Sequence, residues 1–207
     1  MCAPKTYKAI SRIQNSMRQK NLVLLGGGGH CKSVIDVAEA AGYNILGVLD
    51  TPENLGKDVL AYKVIGTDDD IPQYVERAEF VITVGQIMDS VVRHKVGDKV
   101  KQAGGRFATI IAPDAVVSKY ASIGVGTAVL HKAIVNAGAK VGENCIINTL
   151  AVIEHDVSIG DYCHISTGAI INGGALIASD TFVGSQSVCN QCTEITAGDI
   201  SLIGRGG

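Results

Sequence analysis

The string Glu154-His155-Asp156 carries the clearest chemistry in this chain of 207 residues. An imidazole beside a carboxylate can act as a general base. The carboxylate fixes the tautomer and stabilises the cation that forms when a proton is taken. Taken alone, His155 reads equally well as a solvated surface histidine. His164 follows nine residues later, and His131 lies 24 residues before His155.

A second chemical feature is Gly26-Gly27-Gly28-Gly29-His30, which directly follows the aliphatic run NLVLL at 21–25. Without a Cβ in the way, backbone N–H groups at such a turn can approach a phosphate closely. The N-terminus of a following helix adds positive potential. Four consecutive glycines carry a large conformational entropy cost, which favours ligand contact over a plain tight turn. Asp50 ends the next apolar run, where it can accept from a ribose or a base. Cys31 stands where a dinucleotide fingerprint needs its third glycine, which weighs against a nicotinamide cofactor.

Metal chemistry has little support. The only CxxC is Cys189-Asn190-Gln191-Cys192, with no second pair for a zinc site. The six irregularly spaced cysteines read as small buried thiols in a reducing cytoplasm. The set His131, His155, His164 does not match the spacing of a carbonic-anhydrase-like zinc site. No metal is expected.

Two different sequence patterns must position these groups. Up to about residue 112, strand and helix signals alternate. Strands are expected at 21–25, 45–50, 61–66, 80–85 and 107–111. Helices are expected at 32–42, near 69–78 and at 89–104, the first and last ending at Gly42 and Gly104. Such alternation implies a doubly wound parallel sheet, about half of a full dinucleotide-binding fold. All four prolines, the last being Pro113, belong to this part of the chain. Residues 1–20 form a leader, with Met17 a second candidate start.

From residue 113 onward a period of six takes over. Every sixth residue from Val117 to Ile195 is Val or Ile, with Cys189 the single exception in fourteen. The fourth residue after each is small in nearly every hexad. That period fits neither a helix nor simple strand alternation. It fits a parallel β-helix of short strands with the aliphatic row pointing inward. Three hexads close one triangular coil of 18 residues. His155 and His164, half a coil apart, therefore lie on different faces and can meet only across a subunit boundary, as a trimer would allow. After Ile195 the row fails: position 201 is Ser, and Ile203-Gly204 resumes two residues late. A missing final coil is the expectation.

Composition excludes other classes. Charged residues are 18% of the chain, too few for a disordered protein of this hydrophobicity. A net charge of −2 gives no footing for nucleic acid. No apolar run approaches the roughly 20 residues of a membrane span.

The GGGGH turn, the small α/β domain and the hexad string INTLAVIEHDVSIGDYCHIS at 147–166 together resemble hexapeptide-repeat acetyltransferases of the NeuD/PglD type. These are sialic acid O-acetyltransferases and UDP-4-amino-sugar N-acetyltransferases. The resemblance spans about 21–204. It implies a Rossmann-like domain at 21–112 that binds a nucleotide sugar, and a left-handed parallel β-helix at 113–207. It implies a cytoplasmic homotrimer that uses acetyl-CoA as co-substrate and N-acetylates a nucleotide-linked amino sugar, a UDP-amino sugar first among them. O-acetylation of sialic acid and a trimeric scaffold without transfer activity are the alternatives. His155 matches the family's general base and Asp156 its acidic partner. His164, Ser185, Gly204 and Arg205 match positions that contact acetyl-CoA. Gly28, Gly29, His30, Asp50, Thr51, Gly85 and Asn148 match positions that hold the sugar substrate.

Overall fold

The computed structural model describes residues 20–87, 89–196 and 200–201. The α/β part contains a five-stranded sheet. Its strands are β1 (Asn21–Leu25), β2 (Asn44–Leu49), β3 (Asp58–Val59), β4 (Tyr62–Gly66) and β5 (Glu79–Ile82), in the order β3-β4-β2-β1-β5. All pairings are parallel except β3 with β4, a short hairpin that the sequence pattern did not signal. Helix α1 (Gly29–Ala40) buries Cys31, Val34, Ile35, Val37 and Ala38. It begins three residues earlier than its periodicity suggested, so His30 falls in its first turn. Helix α2 (Val91–Gln102) buries Arg93, Val96, Gly97 and Val100 on the other side of the sheet.

Two expected elements differ. The helix expected near 69–78 is only a 3-10 segment, Asp68–Gln73, started by a capping box between Thr67 and Asp70. Pro72 lies inside it, and a proline ring with no N–H stops an α-helix from propagating. The stretch 107–111 is not one strand of the sheet. Phe107 makes a single bridge to Phe80, and Ile110–Ile111 instead becomes β6, the first strand of the prism.

Sixteen two-residue strands, β6 (Ile110–Ile111) through β21 (Ile200–Ser201), recur every six residues and stack as three parallel sheets. This is the left-handed parallel β-helix. Inward residues such as Val129, Val135, Ile147, Ile153, Ile165 and Ile171 are fully buried in one core. A fully buried Val or Ile stabilises by roughly 1.5–3 kcal/mol, so the row alone accounts for much of the cohesion. The corners explain the rest of the pattern. From 126 to 192 every sixth residue has positive φ, four of them glycines and eight not. Gly, Asn and Asp tolerate this left-handed region best, and they fill seven of the twelve positions.

The expected two-residue slip after Ile195 is not there. Ile200 pairs with Phe182 and Ser201 with Val183, so β21 keeps the six-residue register. Serine simply stands at the register position where the row elsewhere carries an aliphatic residue. Ile203 and Gly204 lie outside the described residues.

The three faces differ in what they present outward. On the face of β15 (His164–Ile165) the outward row is Ile110, Ala128, Ile146, His164 and Phe182, and the first four are buried. The α/β part covers this face. Ala112, Ala128 and Leu130 join α1 and the sheet in one core, and Tyr162 joins α2 in another. The face of β14 (Ser158–Ile159) presents Ser122, Lys140, Ser158, Leu176 and Glu194, a mostly polar row. The face of β13 (Val152–Ile153) presents Val116, Ile134, Val152, Ile170 and Val188, wholly aliphatic and at best partly buried. Among the described residues no helix is long and apolar enough to cross a membrane.

Candidate active site

A cleft of about 440 Å³ opens at the carboxyl ends of β1, β2, β4 and β5, lined by Gly26, Gly27, Gly28, Asp50, Thr51, Thr67, Asp68, Gly85 and Lys99 among others. Ligands of open α/β sheets bind at this end. The four glycines divide by role. Gly26 has φ +106°, and a Cβ there would lie 2.5 Å from Val84. A Cβ on Gly27 would lie 2.7 Å from Asp50 Oδ2. Those two are required by packing. A Cβ on Gly28 or Gly29 would meet nothing within 4 Å, so those two leave open space in front of α1. Gly28 is the N-cap and supplies no side-chain cap; Cys31 N–H donates to Gly28 O at 3.1 Å, which leaves the N–H groups of Gly29 and His30 to face an anion.

Asp50 is held firmly. Its carboxylate accepts from Gly27 N at 3.1 Å, Thr51 N at 2.8 Å and Asn54 Nδ2 at 3.1 Å. It ties the end of β2 to the glycine turn and keeps the cleft floor in place. Gly85 comes from the other side, beyond β5, because Thr83 and Val84 leave the sheet to bond Gly26 O and Leu25 O.

His30 and His164 meet where the cleft domain rests on the prism, their rings 6.2 Å apart. His164 Nδ1 lies 2.7 Å from Gln86 O. A carbonyl only accepts, so Nδ1 carries the hydrogen. Nε2 is then the acceptor and takes a hydrogen from Asn148 Nδ2 at 3.0 Å. Phe182 packs edge-on to the ring. Burial lowers the His164 pKa to about 4, partly offset by the Gln86 hydrogen bond. Burial lowers that of His30 to about 3, aided by His164 and Arg93. Both rings are neutral near pH 7. His30 Nε2 is buried with no protein partner. Ser185 bonds Ser166 at 2.9 Å, in the corner next to Asn148.

His155 and Asp156 stand apart from this group. They occupy the corner between the β13 and β14 faces, opposite the face that carries the α/β part. Their side chains are 60% and 72% exposed, and His155 Nδ1–H donates to Asp156 Oδ2 at 2.9 Å. Asp156 holds a left-handed corner with φ 60°. With Nδ1 committed, Nε2 keeps its lone pair for a substrate proton. One coil further on is Gly173. A Cβ there would lie 2.7 Å from both Nε2 and Cε1 of His155, so only glycine leaves that nitrogen open.

Within one chain, then, Gly28, Asp50, Thr51 and Gly85 line the cleft, Gly29 follows Gly28 as the first residue of α1, and His30, Asn148 and His164 gather beside it. His155 and Asp156 do not join them. Gly204 and Arg205 lie outside the described residues. His131 is engaged separately, 2.7 Å from Asp114 and 3.1 Å from Asp36. Among the described residues no group of three or more His, Cys, Asp or Glu gathers to hold a cation. Sequence reasoning missed Gln86, Arg93 and Asp180, which no motif signals. It also missed Gly173, which the 18-residue coil would have placed above His155.

A nucleotide-type cleft on a hexapeptide prism with a histidine–aspartate corner defines an acyltransferase of the hexapeptide-repeat class. The chain belongs to the PglD-type acetyltransferases within that class. Residues 21–100 match the model of the PglD N-terminal domain, and 138–173 match that of the bacterial transferase hexapeptide, six repeats. A similar solved structure is PerB from Caulobacter crescentus in complex with CoA and GDP-perosamine. It is 30% identical, with a TM-score of 0.71, covering 85% of this chain and 91% of that one. Another is the acetyltransferase domain of PglB from Neisseria gonorrhoeae with acetyl coenzyme A, 28% identical with a TM-score of 0.79, covering 87% of this chain and 86% of that one. WeeI from Acinetobacter baumannii, at 20% identity and a TM-score of 0.66, shares the fold. No curated protein matches.

Proposed function

We propose that this acetyltransferase moves the acetyl group of acetyl-CoA onto the amino group of a nucleotide-linked amino sugar. The carrying observation is the His155–Asp156 pair whose Nε2 is left open by Gly173. The solved relatives with bound CoA and GDP-perosamine support the substrate classes. The diphosphate sits before α1 at Gly28 and Gly29, and the nucleoside reaches toward Asp50 and Thr51. His155 removes a proton from the sugar amine as its nitrogen attacks the thioester carbonyl. The C–N bond forms, the C–S bond breaks, and the CoA thiolate leaves and takes up a proton. His30, Asn148, His164 and Ser185 shape the region where the two substrates meet.

His155 lies across the prism from its own cleft, so a second copy must supply it. The aliphatic β13 face supports this. Val116 and Val188 are 61% and 42% exposed there, and His155 stands at the edge of that face. Three copies packed through it would bring the His155 corner of one against the Asn148 and Ser185 corner of the next. The free buried thiols suit a cytoplasmic enzyme.

The test is thiol release from acetyl-CoA across UDP- and GDP-linked amino sugars and free sialic acid. Turnover with an amino sugar nucleotide is expected. His155→Ala should lose about 10²–10⁴-fold in kcat while still binding the nucleotide. Release only with sialic acid, or none with any acceptor, would overturn the proposal.

A further inference from the structure

One short stretch, Val84, Gly85 and Gln86, serves both ligand regions. Val84 and Gly85 line the cleft. The Gln86 carbonyl accepts the Nδ1–H of His164 and so selects its tautomer. This stretch belongs to no helix or strand, so its conformation depends on what holds it from outside.

Val84 N–H bonds Leu25 O of β1, and the holders on the prism side come from a single corner column. Asn144, Tyr162 and Asp180 lie 18 residues apart and share left-handed φ values of 52°, 54° and 66°. Asp180 makes the most contacts. Its Oδ1 accepts from Ser90 Oγ and from His94 Nε2, the latter at 2.6 Å, and its backbone O accepts from Gln86 Nε2 at 3.3 Å. Ser90 is the N-cap of α2, and His94 stacks on Tyr162 with ring centroids 3.8 Å apart. Between them Arg93, 1% exposed, donates to Val84 O at 2.6 Å and to Asn144 O. Asp180 therefore pins the start of α2, the start of α2 aims Arg93, and Arg93 grips Val84. Asp180 itself lines no part of the cleft.

We propose that Asp180 is a positioning residue that sets the nucleotide cleft and His164 together through Val84, Gly85 and Gln86. This rests on reading those two places as the nucleotide-sugar and CoA regions. Without the carboxylate, Ser90 and His94 lose their acceptor, α2 loosens at its start, and Val84 and Gln86 gain freedom. Each ligand must then order the stretch as it binds, which weakens both.

The decisive variant is Asp180→Gly. Glycine keeps the left-handed corner and removes only the side chain. Calorimetric titration with CoA reads one region, and titration with UDP and with GDP reads the other. Asp180→Gly should weaken CoA and the bound nucleoside diphosphate each by about tenfold. Asp180→Asn should bind both as the unmodified chain does, because its amide oxygen can accept the same two hydrogen bonds. A merely structural role would lower the Tm and the binding-competent fraction but leave both Kd values unchanged. That result, or the weakening of only one ligand, would overturn the proposal. If Asp180→Gly does not fold, Ser90→Ala with His94→Phe removes both donors and keeps the stack on Tyr162, and the same two titrations decide. If the unmodified chain binds neither CoA nor either nucleoside diphosphate, the function proposed above fails, and this inference with it.

Discussion

In the proposed mechanism His155 depends on two residues with opposite contributions. Asp156 adds a carboxylate that takes Nδ1–H, and Gly173 contributes by having no side chain at all. Gly173→Ala would put a Cβ 2.7 Å from Nε2, inside the space a substrate proton must cross. The ring must turn or the substrate must retreat. A displacement of about 1 Å costs on the order of 10²-fold in rate. Gly173→Ala should therefore fold normally and lose kcat by about that factor, measured by thiol release against an unchanged Tm. His164 works differently. Both of its ring nitrogens are taken up by Gln86 and Asn148, so it holds surroundings in place and does not move a proton.

At the scale of elements, the glycine turn before α1 contains two kinds of glycine, and substitution should separate them. Gly26→Ala meets Val84 in a backbone conformation that L-residues avoid, so it should destabilise the α/β part by about 1–3 kcal/mol in denaturant titration. Gly28→Ala meets nothing, so its stability should match the parent. Its methyl group instead stands where the proposed diphosphate site meets the start of α1, and nucleotide affinity should fall. Equal stability losses for both variants would contradict this division. The prism corners follow a related logic. A left-handed residue recurs every six positions, and Asp156 and Asp180 combine that backbone requirement with a carboxylate put to use, while Asn144 offers its backbone O to Arg93.

For the whole molecule, the interface between the two halves makes stability pH-dependent. The folded-state pKa values of His30 and His164 are lowered to about 3 and about 4, below the 6.5 of an unfolded histidine. The unfolded chain therefore binds protons first as pH falls. Stability from these neutral, buried rings is fully present above pH 6.5. It is lost on acidification from there down to about pH 4 for His164 and about pH 3 for His30. Thermal melts should show Tm falling across that window, with a shallower slope in His164→Asn. Assembly belongs to the same scale. Ile134→Asp with Ile170→Asp puts two charges on the aliphatic β13 face without touching the inward core. If copies pack through this face as proposed, sedimentation should show the parent as an oligomer and this variant as a monomer, with activity lost although His155 and the cleft are intact. An active monomer would rule out a site shared between copies.

The prism was legible in the sequence because its rule is local. Each two-residue strand must point one aliphatic residue inward, and that demand repeats every six positions whatever the rest of the chain does. The same local character made Glu154-His155-Asp156 and the glycine turn visible. It also misled: Ser201 broke the aliphatic row, yet backbone pairing kept the register, because strand hydrogen bonds do not depend on which side chain faces inward. The helix near 69–78 failed on one proline, and 107–111 divided its partners between sheet and prism. What only the tertiary structure decided lies across coils and between halves. Gly173 meets His155 one coil away, Gln86 meets His164 across 78 residues, and Asp180 meets Ser90 across 90. Which of the three faces the α/β part covers was decided there too. Packing of that kind depends on the outward rows and on the whole opposing surface, and no window of sequence contains both.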